Sequence, residues 1–123
     1  MKAYTDIEQS KKLAEFLPLE SADMYYPYFG NNKWGETARF GEALEYSKKK
    51  DILCWSLEAL LDLIPYNVTF NRAVYRFKLV KFSDHWECYH ENFGSVSTKI
   101  FKANNQIDAC YEMIIELHEQ KVI

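Results

Sequence analysis

No stretch of the chain holds the roughly 20 consecutive apolar residues that a bilayer-crossing helix needs, and the opening MKAYTDIEQS is polar, without the hydrophobic run of a signal peptide. The expectation is a cytoplasmic protein with no membrane partner. Cysteine is scarce and scattered. Cys54, Cys88 and Cys110 are too far apart for a Cys-x-x-Cys zinc or redox motif and too few for a paired disulfide framework, so they read as reduced, mostly buried packing residues. An excess of positive charge is also missing: 15 Lys and Arg stand against 18 Asp and Glu, a net charge of −3, which excludes a non-specific polyanion binder. No Gly-x-Ser-x-Gly, P-loop or Gly-x-Gly-x-x-Gly spacing occurs, so serine-hydrolase and phosphate-cradling chemistry have no motif and no cofactor is indicated.

What the chain does hold is aromatic residues, with 8 Phe, 9 Tyr and 3 Trp among 123, in a composition 48% hydrophobic that suffices for one buried core. We expect a single globular domain over 1–123 with a long irregular aromatic-rich segment at about 18–51. Thr5-Asp6-Ile7-Glu8 reads as a capping box opening a first helix that Pro18 stops. Within 18–51, residues 24–28 are the best strand and 36–48 would hold a short helix. Ser56 caps a second helix whose Leu57, Leu60, Leu61 and Ile64 recur at helical spacing before Pro65. From Arg72 the period changes to two, predicting strands at about 72–82, 85–91 and 95–102.

The strand register follows from side-chain chemistry. A two-residue turn at Ser83-Asp84 sets Leu79 across from Cys88 and Phe77 from His90 on an apolar face, with Lys78 opposite Tyr89 and Arg76 opposite Glu91 on the charged face. A three-residue loop Asn92-Phe93-Gly94 sets Trp86 opposite Ile100, Cys88 opposite Thr98 and Glu87 opposite Lys99. A last helix starts at Asn105, with Asp108 as its box partner, and buries Ile107, Cys110, Tyr111, Ile114 and Leu117. The fold class is α+β: a three- to four-stranded antiparallel β-meander with helices packed on one face.

Three stretches, MKAYTDIEQSKKLAEFLPLESADM at 1–24, CWSLEALLDLIP at 54–65 and DACYEMIIELHE at 108–119, resemble a family of small uncharacterised bacterial proteins associated with gut anaerobes and their mobile elements or phages. They cover somewhat under half of the chain. The resemblance implies a single-domain member of that family and brings no activity, cofactor or catalytic residue with it.

Two constellations invite chemistry and fail on geometry. His85-Trp86-Glu87-Cys88-Tyr89-His90-Glu91 is dense in metal ligands, but alternation along a strand sends Cys88 and His90 to one face and His85, Glu87 and Glu91 to the other. His85-x-Glu87 matches the start of a zinc deaminase signature, yet no Pro-Cys-x-x-Cys follows. We expect neither a metal site nor catalytic residues, and an enzyme of unrecognised type is the third reading.

The leading expectation is a non-catalytic protein-binding protein whose contact surface is the aromatic loop, with Tyr25, Tyr28 and Trp34 among Pro27, Gly30, Asn31 and Gly35. It requires Tyr28 and Trp34 to be exposed; their packing as an outer layer or in a homodimer is the blander account. The alternative is nucleic-acid binding through Lys48, Lys49, Lys50, Arg72, Arg76 and Lys78, basic residues interleaved with aromatics. A basic sheet face uninterrupted by Glu87 and Glu91 would favour it; an alternating ladder would count against it.

Overall fold

The computed structural model describes residues 2–41, 50–96 and 99–123. They gather into two compact units, one within Ala3–Ala59 and the other within Leu60–Ile123 together with Lys2. The fold is α+β.

The first unit opens with α1, Ile7–Ala14. Its cap is Asp6, one residue later than the sequence suggests: the Asp6 carboxylate accepts from the Gln9 amide at 2.8 Å, and the Gln9 side chain accepts from the Asp6 amide at 3.1 Å. Thr5 is committed elsewhere. Its buried hydroxyl accepts the Trp55 amide at 3.1 Å and lies 2.8 Å from the Ser10 hydroxyl, while its carbonyl accepts the Tyr26 phenol at 2.7 Å. A threonine that satisfies buried backbone groups of another segment cannot also cap its own helix.

A three-stranded antiparallel sheet follows, in the order β4-β1-β5, from β1 at Met24–Tyr26, β4 at Arg39–Phe40 and β5 at Ile52–Cys54. Met24 pairs with both Phe40 and Cys54. Met24, Tyr26, Ala38 and Cys54 form a buried cluster on which Tyr4, Ile7, Trp34 and Ile52 pack, and α1 lies against β5. Between β1 and β4 runs a hairpin of β2, Tyr28–Gly30, and β3, Lys33–Trp34, turning on Asn31 and Asn32 with φ of 54° and 57°. The predicted strand at 24–28 is therefore broken at Pro27 into β1 and the start of β2. The helix expected at 36–48 is absent over residues 36–41, where β4 stands instead; residues 42–49 lie outside the described residues.

Helix α2, Leu57–Leu63, begins as its sequence demands, with the Ser56 hydroxyl accepting from the Ala59 amide at 3.2 Å. Asp23 holds that cap: its carboxylate accepts the Ser56 amide at 2.9 Å and the Ser56 hydroxyl. Leu60 and Ile64 are buried.

The second unit is built on five antiparallel strands, β6 at Asn67–Phe70, β7 at Ala73–Lys81, β8 at Trp86–Asn92, β9 at Ser95–Val96 and β10 at Phe101–Ala103. The sheet order is β10-β8-β7-β6, with β9 also on β8. The first hairpin has the expected register, Leu79 opposite Cys88 and Arg76 opposite Glu91. The second departs from it. Its turn is the two residues Phe93-Gly94, with Asn92 opposite Ser95, and further along Phe101, not Thr98, stands across from Cys88. This register buries Phe101 to 7% exposure, leaves Ile100 at 41%, and sets Lys102 against Glu87 at 3.9 Å. It hides the larger ring, which the expected pairing does not, and gives Glu87 Lys102 as its cross-strand cation in place of Lys99.

Helix α3, Gln106–Glu119, is capped by Asn105, whose side-chain oxygen accepts from the Asp108 amide at 2.8 Å. It packs on β8 and β10, burying Ile107, Ala109, Cys110, Met113, Ile114 and Leu117. Tyr111, expected in the stripe, is half-buried. No helix among the described residues is long and apolar enough to cross a membrane.

Candidate functional site

The aromatic loop is a packed hairpin. Tyr28 and Trp34 pair across it with ring centroids 5.1 Å apart, and both are half-buried, as is Tyr25 on β1. The Trp34 indole donates to the Lys50 carbonyl at 2.6 Å, the Tyr28 amide donates to Asp51 at 2.9 Å, and the Tyr28 hydroxyl accepts the Asn32 amide at 3.1 Å. Ammonium groups cap the rings, Lys50 at 5.2 Å from Tyr28 and Lys11 at 5.8 Å from Trp34. Tyr28 and Trp34 are thus neither in the core nor presented as free rings.

Of the basic residues, Lys48 and Lys49 lie outside the described residues, and Lys50 is engaged over Tyr28. Arg72 sits in the turn between β6 and β7 at φ 67°, beside Asn71 at 49°. Arg76 and Lys78 project from the outer face of β7. Cations on β7 stand beside carboxylates on β8, with Arg76 directly across from Glu91 and a tyrosine, Tyr89, rather than an acid across from Lys78.

The ligand-rich strand divides as alternation requires. Cys88 is fully buried against α3, its thiol 3.3 Å from the Ala109 carbonyl, and a hydrogen bond with Cys110 together with burial holds that thiol far above the usual cysteine range. Burial pushes the Cys54 thiol and the Tyr26 phenol up as well. His90 is buried with its Nε2 2.7 Å from the Pro65 carbonyl and its ring against Phe77. On the outer side His85 lies between two carboxylates, Nε2 at 2.7 Å from Glu87 and Nδ1 at 2.6 Å from Asp84, its ring stacked on Phe82 at 4.8 Å. Hydrogen bonds to Glu87 and then Asp84 raise the imidazole above its ordinary value, and the bond from His85 lowers Asp84. Among the described residues no three His, Cys, Asp or Glu side chains converge as a metal site would need.

A different place stands out. Val74, Arg76 and Lys78 on β7 and Glu91, Asn92 and Phe93 at the end of β8 line a groove of about 280 Å³ on the outer sheet face. Asn92 ties its two walls, its side-chain amide donating to the Val74 carbonyl at 2.8 Å. Phe93 rises at its end, 102% exposed, with φ 45°. A bulky side chain in the left-handed region is a backbone outlier, and this turn type favours Asn or Gly there. The sequence carried the signal: Phe followed by Gly94, between two alternating runs, puts an aromatic where a two-residue turn wants Asn.

Compared with known protein families, curated proteins and solved structures, the chain matches none.

Proposed function

We propose that the chain is a non-catalytic protein-binding module, and that its contact surface is the groove ending in Phe93 rather than the aromatic hairpin. The observation that carries this reading is Phe93 itself. It buries nothing in its own fold, being 102% exposed, and it holds a strained conformation that costs of order 1–3 kcal/mol. Such a cost is maintained where a side chain works outside its own core, and an exposed aromatic beside a groove is a natural anchor for a partner. The groove offers cations at Arg76 and Lys78 and an anion at Glu91. That mixture suits a polypeptide carrying polar and apolar side chains. A polyphosphate backbone would meet Glu91 directly opposite Arg76, which weighs against nucleic acid.

The test is affinity capture by the tagged full-length chain from the cells that make it, with and without nuclease, beside the Phe93→Asn variant. The expected result is a stoichiometric protein that survives nuclease and is lost with Phe93→Asn while the variant keeps its fold. Recovery that nuclease abolishes, or that the variant leaves unchanged, overturns the reading.

A further inference from the structure

We propose that the chain pairs with a second copy of itself through β6, strand against antiparallel strand, about a two-fold axis passing at Val68. β6 ends its sheet, and the Phe77 amide donates inward to the Tyr66 carbonyl at 2.8 Å. Antiparallel ladders alternate, so Val68 and Phe70 also bond inward to β7, and the backbone groups of Asn67 and Thr69 point away from the sheet. No strand among the described residues pairs on that side, and both residues are exposed. Natural edges are guarded by lysine, proline or bulges. From Tyr66 to Asn71 there is neither charge nor proline, and the pairing of β6 with β7 is unbroken.

The edge is complementary to itself. Tyr66-Asn67-Val68-Thr69-Phe70 reads aromatic, polar, valine, polar, aromatic from either end. With Val68 facing Val68 of the second copy, the outward groups of Asn67 meet those of Thr69, and Tyr66 lies across from Phe70. Both rings are on the face that carries Cys88, where α3 covers β8 and β10, and they stay 62% and 51% exposed. Pairing covers them. A seam of five residues falls well short of the about 800 Å² per partner of stable complexes, so the dimer dissociates on dilution.

Sedimentation velocity on the full chain across micromolar to submillimolar concentrations is the test. The expected result is a concentration-dependent dimer whose Kd rises about tenfold or more in Thr69→Lys. Thr69→Pro, which removes only an outward amide, should do the same; circular dichroism checks that each variant folds, and Thr69→Lys decides if the proline variant does not. The register is read separately. Val68→Cys places two thiols in a non-hydrogen-bonded pair with Cα atoms about 4.5 Å apart, within disulfide reach. Glutathione disulfide should link them, while Asn67→Cys, diagonal across the axis, should not cross-link. A chain monomeric throughout, a dimer indifferent to Thr69→Lys, or equal cross-linking at 67 and 68 overturns the proposal. Phe93→Asn should leave dimerisation unchanged, so this seam and the groove succeed or fail independently.

Discussion

Phe93 and His85 show how one side chain can be read as an energy. Relieving the left-handed aromatic with Phe93→Asn should raise stability by about 1 kcal/mol in denaturant unfolding, because an exposed ring forfeits no burial. Gain of stability with loss of partner capture would separate the cost of the residue from its use. His85 titrates in the opposite sense from a buried histidine. Its folded-state value lies above the ordinary one, so the stabilisation it provides with Glu87 and Asp84 is complete below about pH 6.5 and is lost as pH rises through the raised value. Asp84, lowered by the same bond, contributes above its ordinary value and loses that contribution as pH falls through the lowered one. The thermal midpoint should therefore decline above about pH 6.5 in the native chain and decline less in His85→Gln, with Lys102 keeping a cation near Glu87 in both.

At the scale of elements, what was legible is what is local. Ser56 and Asn105 cap their helices as read, and the hairpin at Ser83-Asp84 has its expected register because both faces of β7 and β8 agree on it. The misreadings came where a residue answers to something distant in sequence. Thr5 serves Trp55 instead of α1, and Phe101 follows the space beside Cys88 rather than the length of the preceding loop. β6 escapes a sequence reading because it is four residues long, too short for the alternation of Val68 and Phe70 with Asn67 and Thr69 to stand out between Pro65 and Arg72. In the candidate site the basic residues of β7 are legible, and so is Phe93-Gly94 as a turn, but the strain at Phe93 emerges only once that turn is two residues rather than the expected three, Asn92-Phe93-Gly94. The β10 register makes a sharp prediction. Ile100→Lys should change stability by less than about 0.5 kcal/mol, whereas Phe101→Lys should cost about 3 kcal/mol or more, read by chemical denaturation. Equal costs would restore the register with Ile100 inside.

Over the whole molecule, three buried thiols report on the two units. Cys54 belongs to the first, Cys88 and Cys110 to the second, and all three are 0% exposed. With thiols shielded and Cys54 and Cys88 raised out of the thiolate range, alkylation of the native chain should be slow and wait on opening of the structure. Cys88 and Cys110, sharing one contact between β8 and α3, should label together in mass spectra of partly alkylated protein. Labelling of Cys110 well ahead of Cys88 would mean that α3 leaves the sheet on its own.

The meander from β6 to β9 also sets an order of events in time. Its strands are neighbours along the chain, joined by two-residue turns at Asn71-Arg72, Ser83-Asp84 and Phe93-Gly94, so each pairing closes only a short loop. In the first unit Met24 must find Cys54 across about half of that unit's length. Hairpins close in about 1–10 μs, and longer separations are slower. Pulsed hydrogen exchange during refolding should find the amides of β7 and β8 protected before those of β1 and β5, so the strands that display the groove are in place early, while the first unit is still searching.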